Sequence, residues 1–198
     1  MPKQRITKEM VVEAAFEIAR KEGAEKVIVK TIAERLGCSV QPIYSYCSNM
    51  EGLREELVER TRLFMKEYIA ARLDKSDYFR SMGQAQIHFA KEEPDLFKLY
   101  FLRRRQDIGS LRELYSKEGS ADMGDYLAQT LQIRPEKARE LHLNMIIYTM
   151  GIASILATTG SDIPEEEISD QLEKAYHAFC VQSREESNEY KNINRFCL

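Results

Sequence analysis

A chain of 198 residues that is 43% hydrophobic and 31% charged has an ordinary globular composition and enough length to bury a full core. Its net charge of −3 excludes indiscriminate polyanion binding over a basic surface. The charge is uneven, however: residues 1–50 hold eight Lys and Arg against six Glu, giving +2 and leaving about −5 for the remainder, as suits a protein that docks a polyanion at one end only.

The N-terminus, MPKQRITKEM, is basic but runs into an amphipathic pattern without the apolar run and small-residue cleavage site of a signal peptide, so a cytoplasmic setting is expected. Thr7 is placed to cap a first helix whose apolar positions, Val11, Ala14, Ala15 and Ile18, recur at helical spacing before Gly23 stops it. Val27 and Val29 lead into a second helix with Ile32, Ala33 and Leu36 on its buried face. Gly37 supplies the positive-φ residue that ends it. Ser39 is placed to cap a third helix over about 40–46, with Pro42 in its first turn, where a missing N–H costs little. Asn49 offers a cap for a long helix over about 51–72, striped by Leu53, Leu57, Phe64 and Tyr68.

Periodic segments follow at roughly 76–92, 94–104, 107–131, 135–159 and 165–185, with breaks at Pro94, around 107–109, at Pro135 and over Gly160 to Pro164. None shows sustained β alternation. Pro164 followed by Glu165, Glu166 and Glu167 opens the last helix with acids at its positive end, and Ile168, Leu172, Ala175, Tyr176 and Phe179 share one face of it. The tail from 184 is polar until Phe196 and is expected to fray. The stretch LNMIIYTMGIASILATT at 143–159 is shorter than the ~20 residues of a membrane span and carries Asn144 and Ser154, so it reads as a buried helix and no membrane partner is expected. It is apolar nearly all round, which calls for more cover than one partner helix gives. A second copy of the chain would supply it, with Gly151, Ser154 and Ile155, and Leu172, Tyr176 and Phe179 on the last helix, as interface candidates.

The stretch TIAERLGCSVQPIYSYCSNMEGL at 31–53 has the spacing of a helix-turn-helix: Ala33 is small where two helices cross, Gly37 turns the chain, and Ile43 seats the second helix ten positions after Ala33. These residues resemble the head of TetR/AcrR-type one-component transcriptional regulators. The family's pattern of an Ile-Ala pair, Gly, Ser, Leu/Ile-Tyr and acidic-x-Leu stands here as Ile32-Ala33, Gly37, Ser39, Ile43-Tyr44 and Glu51-Gly52-Leu53. The likeness is specific over about 5–55 and continues more weakly in FAKEEPDLFKLYF at 89–101. It implies an all-α homodimer: a three-helix DNA-binding head over residues 1–50, a connecting helix over 51–72, and a helical body over 73–198 that holds a small-molecule effector and dimerises through its last two helices. Two positions depart from the pattern, Cys47 where Phe is common and Met50 where a Lys usually meets a phosphate.

Double-stranded DNA and an effector of unknown identity are therefore the expected partners. Gln41 and Pro42, at the start of the recognition helix, are candidates for an adenine edge and a thymine methyl. Ser39 belongs to the same surface. Tyr44 and Tyr46 carry hydroxyls that reach phosphates, unless one packs inward on Ile18, and Lys30 and Thr31 are candidates for phosphate at the start of the second helix. His88, Phe97, Tyr100, Phe101, Tyr115, Tyr126, Met145 and Tyr148 are candidates to line an effector cavity, although helical spacing explains most of them as plain core. His88, His142 and His177 read as core or pocket histidines. Arg103, Arg104 and Arg105 read as a solvated face or inter-helix ion pairs.

Cys38, Cys47, Cys180 and Cys197 show no C-x-x-C spacing and no nearby His pair, so no metal is expected. There is no G-x-S-x-G, no H-E-x-x-H and no Gly-rich phosphate loop, so neither catalysis nor a cofactor is expected. Two rival functions remain open: control by thiol oxidation, because Cys38 and Cys47 bracket the recognition helix, and a helical adaptor that no longer reads DNA, for which Met50 is the support.

Overall fold

In the computed structural model, which describes residues 6–46, 50–106 and 108–195 with side chains to 184, the described residues form ten α-helices and no strand. Cys47, Asn49, Phe196 and Cys197 lie outside them. Thr7 caps α1 (Lys8–Glu22) by accepting from the Met10 amide at 3.3 Å. The α1 face of Val11, Ala15, Ile18 and Ala19 is fully buried. α2 (Val29–Leu36) ends at Gly37, whose φ of +63° lets the Gly37 and Cys38 amides turn back onto the Glu34 and Ala33 carbonyls at 3.2 and 3.0 Å. α3 (Gln41–Tyr46) is seated by Ile43, which is wholly buried against the head. The first carbonyl accepted into α3 is that of Val40 rather than Ser39, so the cap falls one residue later than the Ser39 side chain suggests.

α4 (Met50–Ala70) leaves the head, and α5 (Tyr78–Glu92) and α6 (Pro94–Phe101) return along it. The segment 107–131, which periodicity joins into one helix, is two: α7 (Leu111–Glu118) and α8 (Ala121–Leu131). The break has a local cause. Gly119 turns extended, and the Ser120 hydroxyl accepts from the Met123 amide and starts a new helix. α9 (Pro135–Thr159) is the central helix of the body and packs on α5, α6, α8 and α10 (Glu165–Arg195). It is the one helix among the described residues long and apolar enough to cross a membrane. α10 continues well past the expected limit near 185 because no Gly or Pro interrupts it before Arg195.

The head core does not stop at the head. Phe16, Ile32, Ile43 and Leu57 belong to the same apolar cluster as Phe89, Leu96, Phe97 and Leu156 of the body. Edge-on aromatic contacts carry it across, Phe16 to Phe64 at 5.4 Å and Tyr68 to Phe89 at 5.2 Å. The joint is tied by Arg20 of α1, which grips the Glu93 carboxylate between α5 and α6 with Nε at 2.8 and 3.0 Å and lies over the Phe64 ring. A second cluster, including Met123, Leu127, Leu141 and Met145, fills the far end of the body.

Candidate functional site

Two places hold the residues that chemistry singles out: the outer side of α3 and a cleft at the far end of the body. On α3, burial of Ile43 turns Gln41, Tyr44, Ser45 and Tyr46 outward, with Tyr44 62% exposed. Both tyrosine rings face outward, so neither takes the inward place against Ile18. No charged residue lies between Gln41 and Tyr46, so any positive charge opposite a phosphate comes from the flanks. Lys30 is such a flank, 78% exposed and only 4.0 Å from Glu34, at the edge of ion pairing. Thr31 is committed to its own helix. Its hydroxyl accepts from the Ile28 amide at 3.2 Å and lies 2.6 Å from the Lys26 carbonyl, which holds the first turn of α2 in place. Ser39 is exposed beside these residues, and Pro42 is half-buried in the first turn of α3.

The cleft lies between α5, α9 and α10, is partly open to solvent, and also has Glu118 of α7 in its lining. Phe79 and Met82 come from α5, His142, Met145 and Ile146 from α9, and Leu172 and Tyr176 from α10. Its charges are paired. Arg80 holds Glu173 at 2.5 and 3.2 Å while lying over the Tyr176 ring, and Glu118 is paired with Arg105. His142 is only 4% exposed, and burial pushes its pKa down to about 4, so the imidazole is neutral at neutral pH. The Tyr115 hydroxyl lies 3.1 Å from His142 Nδ1. Burial raises the Tyr176 phenol to about 12, so it too is uncharged.

Against solved structures, the chain is similar to one described as a TetR-family transcriptional regulator from Vibrio parahaemolyticus, with a TM-score of 0.57 over 86% of this chain and 96% of that one at 14% identity. The chain has the TetR-family fold. It is also similar to the uncharacterized HTH-type transcriptional regulator YobS of Bacillus subtilis (strain 168), at 28% identity over 106 residues. That match covers 52% of this chain and 55% of the relative, so it spans about half the length of the curated protein. No protein-family model matches the chain.

Within this TetR-type body the cavity candidates separate. Met145 lines the cleft, and Tyr115 stands behind it on His142. Phe97, Tyr100 and Phe101 stack together on α6, with Phe97 wholly buried beside the head core. His88 pairs with Glu165 at 2.7 Å on the outside, Tyr126 sits edge-on to Tyr78, and Tyr148 is half-buried against the far cluster. Leu172 and Tyr176, candidates for a contact between chains, face the cleft. Phe179 packs on the far cluster, and the Ser154 hydroxyl returns to the Met150 carbonyl at 2.7 Å. Gly151 and Ile155 remain on the outer face of α9, with Ile155 52% exposed. Sequence reasoning missed Phe79, Met82 and Thr149 as cleft residues. Their helical periodicity says only that they face inward, and the void between three helices distant in sequence leaves no local signal. Among the described residues no group of His, Cys, Asp or Glu could hold a metal ion.

Proposed function

We propose that this chain is a DNA-binding transcriptional regulator, a repressor that reads an inverted repeat as a cytoplasmic homodimer and is released when a small molecule fills the body cleft. The observation that carries the reading is the outward face of α3, where Gln41, Tyr44 and Tyr46 stand clear of a head whose core is closed by Ile43. A helix held this way enters a major groove with its N-terminal residues on base edges, Gln41 on adenine and Pro42 on a thymine methyl, and the tyrosine hydroxyls on phosphate. Lys30 and Ser39 complete the contact from the flank with their side chains, and Thr31, whose hydroxyl is engaged within α2, through its amide at the start of that helix.

Dimerisation is supported by an uncovered apolar strip on the last two helices. Ile147 and Ile155 of α9 are 43% and 52% exposed, with Gly151 between them, and Val181 of α10 is 40% exposed. Release by a ligand is supported by the joint at Arg20 and Glu93. It ties α1 directly to the start of α6, so a shift in the body reaches the head without passing through a flexible linker. The effector must bind the DNA-competent and released forms unequally to move the balance.

Selection of random duplex DNA on the reduced protein at about 0.1 M salt, where non-specific phosphate binding is weakened, tests the reading. Enrichment of an inverted repeat is the expected result. A folded dimer that enriches no sequence, with or without added small molecules, refutes it.

A further inference from the structure

The wall that α9 contributes to the cleft carries two polar groups that the protein itself does not satisfy. His142 and Thr149 are each 4% exposed, and both line the cleft. They are seven residues apart, so they share a helix face with ~10 Å between them along the axis, and Met145 and Ile146 fill the interval. The Tyr115 hydroxyl lies 3.4 Å from the Ser120 carbonyl and 3.1 Å from His142 Nδ1, so the inner ring nitrogen is engaged and Nε2 is the one left over. Nε2 has no hydrogen-bond partner among the described residues. The Thr149 hydroxyl has none either, unlike Ser154, Thr158 and Thr159 further along α9, which all return to backbone carbonyls. Across from it on α5 is Gly83, where an added Cβ would stand 4.0 Å from Thr149 Oγ1, so the missing side chain keeps this end of the cleft open. Both side chains are mostly buried while these two atoms open on the cleft, so a ligand that displaces water from this wall must replace its hydrogen bonds at both points.

The remaining surface sets the chemistry. Phe79, Met82, Leu172 and Tyr176 make most of the wall apolar and aromatic, and Gln84, Gln86 and Ser169 add polar groups that carry no charge. The charges in the lining are already engaged, Arg80 by Glu173 and Glu118 by Arg105. A charged ligand would be desolvated with no uncommitted counter-charge to meet it, and an anion would also approach two carboxylates. We infer that the cleft takes an uncharged, elongated, largely aromatic molecule with a hydroxyl at each end about 10 Å apart, one hydrogen-bonded to His142 Nε2 and the other to the Thr149 hydroxyl. This rests on the cleft being the effector site, and it names what kind of effector enters.

A biphenyl bearing a hydroxyl at each para end has the required span and is the probe. Its mono-hydroxyl analogue and the corresponding dicarboxylate are the comparisons. Calorimetric titration of the dimer is expected to show binding of the diol, about tenfold weaker binding of the mono-hydroxyl compound, and weaker binding still of the dicarboxylate. Thr149→Val, which keeps the shape and removes the hydroxyl, and His142→Phe are each expected to weaken the diol about tenfold. Thr149→Val keeps the test decisive if His142→Phe fails to fold. The inference is overturned if the dicarboxylate binds as well as the diol, if both folded variants bind the diol like the parent, or if none of the three compounds binds. Operator affinity, measured in the same samples by fluorescence anisotropy, separates the two claims. Diol binding in the expected pattern with unchanged operator affinity upholds the cleft chemistry and removes the effector function, whereas release of DNA by the dicarboxylate upholds the effector function and overturns the neutral class.

Discussion

Replacing His142 with Gln should flatten the protein's stability between pH 7 and pH 5. In the folded chain burial holds the His142 pKa at about 4 against an ordinary 6.5. The unfolded chain therefore takes up a proton that the native chain refuses over that interval. The sign follows: the native state carries no penalty above pH 6.5, loses stability as pH falls from 6.5 towards 4, and below 4 has lost all that this group can remove. The full gap corresponds to about 3 kcal/mol, of which about 2 kcal/mol develops between pH 7 and pH 5. Gln keeps a neutral amide within reach of the Tyr115 hydroxyl and does not titrate. Urea unfolding of both proteins at the two pH values measures the effect, because urea leaves charge interactions unscreened and shared carboxylate titration cancels in the difference. The parent should lose about 2 kcal/mol more than His142→Gln on going to pH 5. Equal losses would refute the reasoning, showing that the imidazole reaches solvent or an acidic partner in the native state.

Four further outcomes are expected. A double-mutant cycle on Arg20→Ala and Glu93→Ala should return about 1 kcal/mol of coupling in urea unfolding, because the guanidinium grips the carboxylate at two points beside an apolar ring; coupling near zero would mean that solvent screens the pair. Ile155→Asp, on the exposed outer face of α9, should convert a dimer to a folded monomer in sedimentation velocity, and an unchanged dimer would move the interface elsewhere. Gly37→Ala should cost about 1 kcal/mol, the backbone penalty alone, because the space beyond the added Cβ is empty although φ is +63°; a much larger loss would mean a packed turn. Lys30→Ala should lower the slope of log affinity against log salt for operator DNA by about one unit, and an unchanged slope would leave Lys30 an ordinary solvated lysine.

How far the fold could be read from the chain differs from element to element. Thr7, Gly37, Pro135 and the acids after Pro164 act within one helical turn of themselves, and the helices they bound are where those residues put them. The seating of α3 by Ile43 was legible for the same reason, since Ala33 and Ile43 are near in sequence and both lie in the head part of one apolar cluster. The division at Gly119 was not, because a single Gly inside a helical pattern does not by itself end a helix, and Ser120 becomes a cap only once the chain has turned. His88 has the same helical periodicity as a core position, yet it faces Glu165, contributed by a helix 77 residues away.

Local chemistry in the sequence, capping residues, breakers and the 3.6-residue period, therefore determined an all-α chain with a helix-turn-helix near its start and two late apolar helices. Tertiary structure alone decided which inward-facing residues became core and which became cavity wall. Phe97 and Met145 are alike in the sequence, both apolar and at helical spacing, but Phe97 is sealed where α6 meets the head and Met145 borders open space between α5, α9 and α10. The periodicity of each helix specifies the direction in which a side chain points. Whether another side chain arrives to meet it depends on how three helices from distant parts of the chain come together, a long-range packing outcome with no local signature.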